Sequence, residues 1–426
     1  MVIHMFCIEG VISLGIVRQY QHYYRTYNRN IRLYLWHFFT WQLGALIYNL
    51  FFPLYLLSAN INEQVMGSLF ALNTLSMAVC AIPAGFLADR LGRRKSFILG
   101  SAPSLLVAAL KLTTTNIAFL RLLYLVDGAF IMLFLASSSP FIVENTEPEN
   151  RIHAFSLSAM MMLGAGIFGN FFGGYLPQVI RLVNASLGDI TVYRIIFVCG
   201  TVLMFVAFTF LFKLIDVPTS VTPSANRKLV LPGKTDMKFL FKYMVAAGFI
   251  ALGAAHFMPF ATTFFRRTYG ASPSQLGALF SVTQLTVFIA TAIAPSLAER
   301  WSPIPAIIFT RIVSLPLLFG ISTVHNFYFA GGLYMLRNAF MQMSSPLEAN
   351  FFVSNISPEI RATANGINNM AMSSLRALAS YSAGIIITRS GRFGGYTAAI
   401  QVMLVCYIFS TVFLYVFFAR GKKLLP

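Results

Sequence analysis

Charge is what this chain has least of. Only 10% of its 426 residues are Asp, Glu, Lys or Arg, and only 13 are acidic, whereas soluble domains carry about 25% charged residues. With 57% hydrophobic residues, that scarcity excludes an ordinary soluble protein. Cysteine is thin as well. Cys7, Cys80, Cys199 and Cys406 are scattered in or beside apolar segments, without pairing or metal-ligand spacing, which argues against a disulfide framework or a zinc site. The sequence contains no Gly-x-Ser-x-Gly, His-Glu-x-x-His or phosphate loop, so it predicts neither an enzyme nor a bound cofactor or metal.

What the chain does have is apolar runs, one after another, rich in Leu, Phe, Met and Gly and without strand-like alternation. Crossing a hydrocarbon core takes about 20 apolar residues per helix, and hydrocarbon admits only helices or closed barrels. The runs predict twelve helices beginning near Leu33, Val65, Ser96, Ile117, His153, Tyr193, Tyr243, Leu276, Ile304, Asn326, Thr363 and Tyr396. The net charge of +18 is then a topology signal. With the N-terminus inside, most Lys and Arg fall in inner segments, which orients both termini to the cytoplasm and favours anionic headgroups over nucleic acid. No signal peptide is evident: residues 1–17 are a short apolar stretch broken by Glu9, read as an interfacial extension.

The most informative stretch is Gly85-Phe86-Leu87-Ala88-Asp89-Arg90-Leu91-Gly92-Arg93-Arg94-Lys95, a short polar turn between two apolar runs. A weaker copy, Pro295-Ser296-Leu297-Ala298-Glu299-Arg300, follows 210 positions later, counting from Asp89 to Glu299. At the same shift Gly67-Ser68-Leu69-Phe70 falls on Gly277-Ala278-Leu279-Phe280, Leu123-Tyr124 on Leu333-Tyr334, Ala129-Phe130 on Ala339-Phe340, and Pro148-Glu149-Asn150-Arg151 on Pro358-Glu359-Ile360-Arg361. Unrelated halves have no reason to keep register, so the offset indicates an internal duplication. The hydrophilic stretch 216–242, with Pro, Gly, Ser and Lys, reads as a linker. The predicted organisation is an extension 1–32, a six-helix bundle 33–215, the linker 216–242, a second bundle 243–420 and a tail 421–426.

The Asp89 loop and its echo resemble the loop between the second and third helices of major facilitator superfamily transporters. The resemblance implies an all-α membrane protein with twelve transmembrane helices in two pseudo-symmetric six-helix bundles, working as a monomer on a small-molecule substrate. It also implies a cytoplasmic gate built from Gly85, Asp89, Arg90, Gly92, Arg93, Arg94, Glu299 and Arg300. In that gate Asp89 would meet the N-terminal end of the eleventh helix, and the arginines would brace neighbouring helices. Glu144, Arg151, Glu359 and Arg361 sit in the resembling Pro-Glu-x-Arg turns, as hinges with an ion-pair role. Gly169, Gly173 and Gly174 partly resemble the fifth-helix motif of proton-coupled antiporters, although Asn170 stands where Pro is usual. They equally suit plain small-residue packing of helices five and eight.

Charges inside the membrane are costly, about 2.5–3.5 kcal/mol each on insertion scales, so Asp127 in helix four and Arg337 at the shifted place in helix ten are functional candidates. Facing each other across the cavity, they would form a proton or charge switch; a permanent pair steadying the halves is the alternative. Arg121 is a second partner or a snorkelling residue. His37, Trp41, Gln42 and Asn49 on helix one and His256 on helix seven complete the cavity candidates, each histidine being a proton relay or a packing residue. Arg311 and Arg376 lack an acidic partner in their own spans. Together these features predict an alternating-access transporter in the cell membrane, exporting hydrophobic or amphipathic compounds by proton antiport. The alternatives are an importer or uniporter of a sugar, organic acid or other metabolite, and more remotely a sensor.

Overall fold

The structure, a computed structural model, describes residues 24, 26–215, 233–357, 360–391 and 394–419. Residues 1–23, linker residues 216–232, the tail 421–426, Pro358 and Glu359 lie outside them, as do the side chains of Glu299 and Arg300.

Twelve helical rods are present among the described residues. They are α1 (Arg29–Ser58), α2 (Glu63–Leu91), α3 (Arg93–Lys111), α4 (Ile117–Glu144), α5 (Arg151–Val183) and α6 (Asp189–Phe212). The second set is α7 (Lys234–Phe257, continued past the turn Met258–Phe260 by Ala261–Tyr269), α8 (Pro273–Trp301), α9 (Pro303–Thr323), α10 (Phe327–Met343, continued by Ser345–Ser354), α11 (Arg361–Arg389) and α12 (Gly394–Leu414). Nine of these meet the length and composition needed to cross a membrane. The others fall short for legible reasons. α1 carries Gln42 and Asn49 among its apolar residues, α3 opens on Arg93-Arg94-Lys95, and α10 breaks after 17 residues.

Local chemistry sets the ends. Asn62, Asn116 and Asn326 cap α2, α4 and α10, each side chain accepting a first-turn backbone N–H, which satisfies donors the helix itself cannot. The caps of α4 and α10 are again 210 apart. One predicted start is displaced: α7 begins at Lys234, nine residues before Tyr243. The apolar run was legible, but its polar stem was not. There Gly233 opens the helix, and Asp236 in the first turn accepts from the Ser357 amide and hydroxyl. The helix therefore claims residues 234–242 that the sequence suggested as linker.

The duplication is visible in the packing. α1 packs on α5 and α6, α4 on α2 and α3, and α3 on α6; six places on, α7 packs on α11 and α12, α10 on α8 and α9, and α9 on α12. The bundles meet through α2 with α11 and α5 with α8, which exchange under the same rule. Both seams depend on missing side chains. A Cβ on Gly67 would stand 2.4 Å from the Ser380 carbonyl, and one on Gly174 2.7 Å from the Gly277 Cα.

The seams are closed at one end only. Ser281 donates to the Ile167 carbonyl at the middle of α5, and at the Ser58–Glu63 end Gln64 donates to Thr388 and Gln178 to Ser274. A single apolar core joins both bundles there, from Trp41 and Phe51 through Phe260 to Tyr407. Toward the Asp89 end the cores separate, one set confined to the first bundle and another to the second. Phe86 on α2 is 63% exposed, and a Cβ placed on Gly85 or on Gly366 would meet no atom within 4 Å. The bundles form a V that opens at the Asp89 end.

Candidate functional site

Between the bundles, near the apex of the V, lies a cavity of about 240 Å³ lined by Asn49 of α1, Asn170 of α5, Thr262, Met258 and Ala261 of α7, Thr283 and Gln284 of α8, and Tyr334, Asn338 and Gln342 of α10. Its polar lining is neutral: five carboxamide residues, two threonines and one tyrosine. Each carboxamide offers donors and an acceptor. The break in α7 at Met258-Pro259-Phe260 presents Met258 and Thr262 to this space. Met258 also borders a second cavity, of about 340 Å³, where Phe70, Asn73 and Thr74 of α2 face Ala254, Ala255 and Pro259 of α7 and Arg376 and Ser380 of α11.

Asp127 and Arg337 do not oppose each other. Asp127 is bound by Lys111 of α3 at 3.2 Å, and the Lys111 ammonium rests 4.0 Å from the Tyr124 ring centroid. A cation on the adjacent helix of its own bundle reaches the carboxylate, so none is needed from across the gap. Arg337 is only 3% exposed. It donates to the Tyr407 hydroxyl at 2.6 Å and to Asn338 Oδ1 at 3.2 Å, with its guanidinium 5.2 Å from the Tyr407 ring centroid. It sits behind the cavity wall and holds Asn338, whose amide also donates to the Tyr334 carbonyl. Arg121 reaches Ser68 of α2, not Asp127.

Of the helix-one candidates, Asn49 lines the cavity. His37 is buried, with Nδ1 2.9 Å from the Ala207 carbonyl and its ring 5.7 Å from Trp41, a packing arrangement between α1 and α6. Gln42 is half-buried and outside the cavity lining. His256 is held between the Leu252 carbonyl and the Ser382 hydroxyl, so it ties α7 to α11. The fifth-helix glycines divide. Gly174 meets Gly277 of α8, but Gly169 and Gly173 pack on Leu43 and Ile47 of α1.

At the open end Asp89 bonds Arg93 at 2.9 Å and not the start of α11, because the bundles stand apart there. Arg93 also grips Glu144 of α4 at 2.8 Å, and Arg94 donates to the Phe212 carbonyl of α6. Gly92 makes the turn with φ +80°, and Arg90 is exposed. Arg151 opens α5 after the turn Pro148–Asn150; Arg361 donates to the Ile356 carbonyl. Glu359 and the side chains of Glu299 and Arg300 fall outside the described residues.

Several groups were not singled out from sequence. Gln284, Asn338 and Gln342 are carboxamides inside apolar helices, and that rarity is the signal that marks them. Glu63, at the start of α2, crosses the closed end to Arg267 of α7 at 2.6 Å and accepts from Tyr396 of α12 at 2.8 Å. Arg311 does have an acidic partner, Glu348 at 2.9 Å, across the break in α10.

Two six-helix bundles related by a pseudo-twofold, closed at one end over a polar cavity, define a membrane carrier and not an enzyme. The sequence profile of the Major Facilitator Superfamily matches residues 35–380 and, a second time, 243–423; the chain belongs to that superfamily and is a multi-pass transporter of small molecules. A methylenomycin A resistance protein of Bacillus subtilis (strain 168) is 31% identical over 131 residues, spanning 29% of this chain and only 28% of that relative. Among solved structures, a bacterial homolog of the human lysosomal transporter Spinster, inward-facing and occupied, superimposes with TM-score 0.69 at 14% identity over 91% of this chain and 95% of its own. The nucleoside transporter NupG gives 0.68 at 14% over 93% and 100%. A D-xylose-proton symporter gives 0.70 at 13% over 93% and 98%. At such identities the likeness is one of fold.

Proposed function

We propose that this chain moves a small, polar, hydrogen-bonding organic molecule by alternating access, with the cavity between α1, α5, α7, α8 and α10 as its binding site. The observation that carries this reading is the neutral carboxamide lining. Apolar cargo would leave Asn49, Asn170, Gln284 and Gln342 unpaired on desolvation, at about 1–3 kcal/mol per group, whereas hydroxyl-rich cargo pairs them. The V corresponds to the state open to the cytoplasm if the positive-inside bias holds. On that topology both termini are cytoplasmic and the protein resides in the cell membrane as a monomer, without nucleic-acid partners. Rocking the bundles would break the Glu63–Arg267 contact at the outer end and bring Asp89 toward α11.

Proton-coupled efflux of hydrophobic or amphipathic compounds is the second reading, favoured by the resistance-protein relative and by the aromatic residues throughout the spans. A proteoliposome counterflow panel separates the two, comparing polyols, sugars and hydroxy acids with a lipophilic dye, with and without an imposed pH gradient. The polar reading expects flux of a hydroxylated compound, reduced at least about tenfold by Gln284→Leu with Gln342→Leu, the loss of two hydrogen bonds. Gradient-driven dye export that survives this double substitution and is lost in Asp127→Asn overturns it in favour of efflux.

A further inference from the structure

Arg376 stands at the middle of α11, 15 residues from Arg361 and 13 from Arg389, roughly 20 Å from either helix end at 1.5 Å per residue. Its side chain borders the second cavity, with Asn73 and Thr74 of α2 across the gap and Ser380 one turn along. No hydrogen bond or ion pair reaches it from the described residues, although neighbouring charges are all engaged. Among the described residues Glu63, Asp127 and Glu348 are already paired, with Arg267, Lys111 and Arg311, as are Asp89 and Glu144 with Arg93. Arg337 of the same bundle is engaged through its terminal nitrogens by Tyr407 and Asn338.

A guanidinium with five donors and no hydrogen-bond partner, exposed to an open space between the bundles at membrane depth, is free to receive something anionic. The depth excludes a lipid headgroup, which stays at the interface. We infer that Arg376, with Asn73, Thr74 and Ser380, is a subsite for the oxyanion group, carboxylate or phosphate, of the transported molecule. The carboxamide cavity on the other side of Met258 takes its hydroxyl-bearing remainder. This rests on the cavity reading given above and narrows the cargo to polar organic anions. A planar fork suits an oxyanion bidentately, and the Asn, Thr and Ser side chains supply further donors.

The test uses a thiol introduced as Thr74→Cys in the full chain, with Cys7, Cys80, Cys199 and Cys406 replaced by Ser. Its modification rates by anionic 2-sulfonatoethyl methanethiosulfonate and cationic 2-(trimethylammonio)ethyl methanethiosulfonate are compared in the purified protein. Relative to their rates on free cysteine, the anionic reagent should be favoured at least about tenfold, as expected for a unit charge within several ångströms at low dielectric. Arg376→Lys should keep the preference and Arg376→Gln should abolish it. A charge-blind thiol, or a preference unchanged by Arg376→Gln, overturns the anion subsite and leaves the carboxamide cavity standing. A thiol that neither reagent reaches overturns the open cavity itself, and the subsite with it.

Discussion

The two bundles share a register and a packing scheme, yet they spend their buried charge differently. In the second bundle Arg311 and Glu348 form a pair deep between α9 and α10, with Arg311 2% exposed and donating also to Ser410. Subtracting 210 gives Ser101 and Ser138, two hydroxyls. Ser101 is fully buried. In the first bundle the pair is Lys111 with Asp127, and adding 210 gives Ile321 and Arg337. The same architecture thus tolerates an ion pair or small neutral groups at one equivalent place. The duplication fixed where helices cross, and left the polar content of each crossing free to diverge.

Breaking the Arg311–Glu348 pair should have the largest effect. Removing one member of a buried pair strands the other and costs about 3–5 kcal/mol. Glu348→Ala is expected to lower the thermal unfolding midpoint of the detergent-purified protein sharply, or to prevent its accumulation. The comparison sharpens with Arg311→Ser combined with Glu348→Ser, which copies the first bundle. The double variant should recover part of the loss, since no charge is left unpaired. A double variant worse than the sum of the singles would mean that the first bundle's solution does not transfer.

The carboxylate of the Lys111–Asp127 pair is about as accessible as that of Glu348, at 25% against 22% side-chain exposure. Lys111, however, keeps the Tyr124 ring when its partner loses charge, and Asn still offers an acceptor. A smaller cost of about 1–2 kcal/mol is therefore expected for Asp127→Asn, between surface and buried pairs. Lys111→Met with Asp127→Leu should be closer to wild type than either single change. Transport separates two roles. If the pair only steadies α3 against α4, flux per folded molecule is unchanged in the double variant; a lost response to a pH gradient would instead place Asp127 in coupling.

Much of the fold could be read directly from the residues, and much of the site could not. The apolar runs and their 210-residue echo carry the twelve rods and their pairing, because burial in hydrocarbon leaves helices as the solution. The V and its cavity depend on the rotational phase of each helix, which packing decides. Gln284 or Asn338 looks the same in sequence whether it faces lipid, a backbone carbonyl or a cavity. Asp127 was conspicuous, but its partner was not, since Lys111 reads as an ordinary helix-end cation until α3 and α4 are laid side by side. Glu348 was hidden by the break after Met343, which sets the following segment of α10 against α9.

The smallest effect lies in the duplicated turn itself. Gly92 joins α2 to α3 with φ +80° and ψ 165°, and 210 positions on Ser302 joins α8 to α9 with φ 65° and ψ 155°. This region of backbone space is essentially reserved for glycine, and a side chain there costs about 1–3 kcal/mol. The second bundle has kept the turn while losing the residue that makes it easy. Ser302→Gly should therefore raise the unfolding midpoint by an amount corresponding to about 1 kcal/mol, the strain relieved less the entropy glycine adds to the unfolded chain. Gly92→Ser should lower it by a similar amount, with Asp89, Arg93 and Glu144 still in place to hold the loop. Equal and opposite shifts would establish that the two turns remain the same structural device; a Ser302→Gly variant that loses stability would show that the second turn has been rebuilt around its serine.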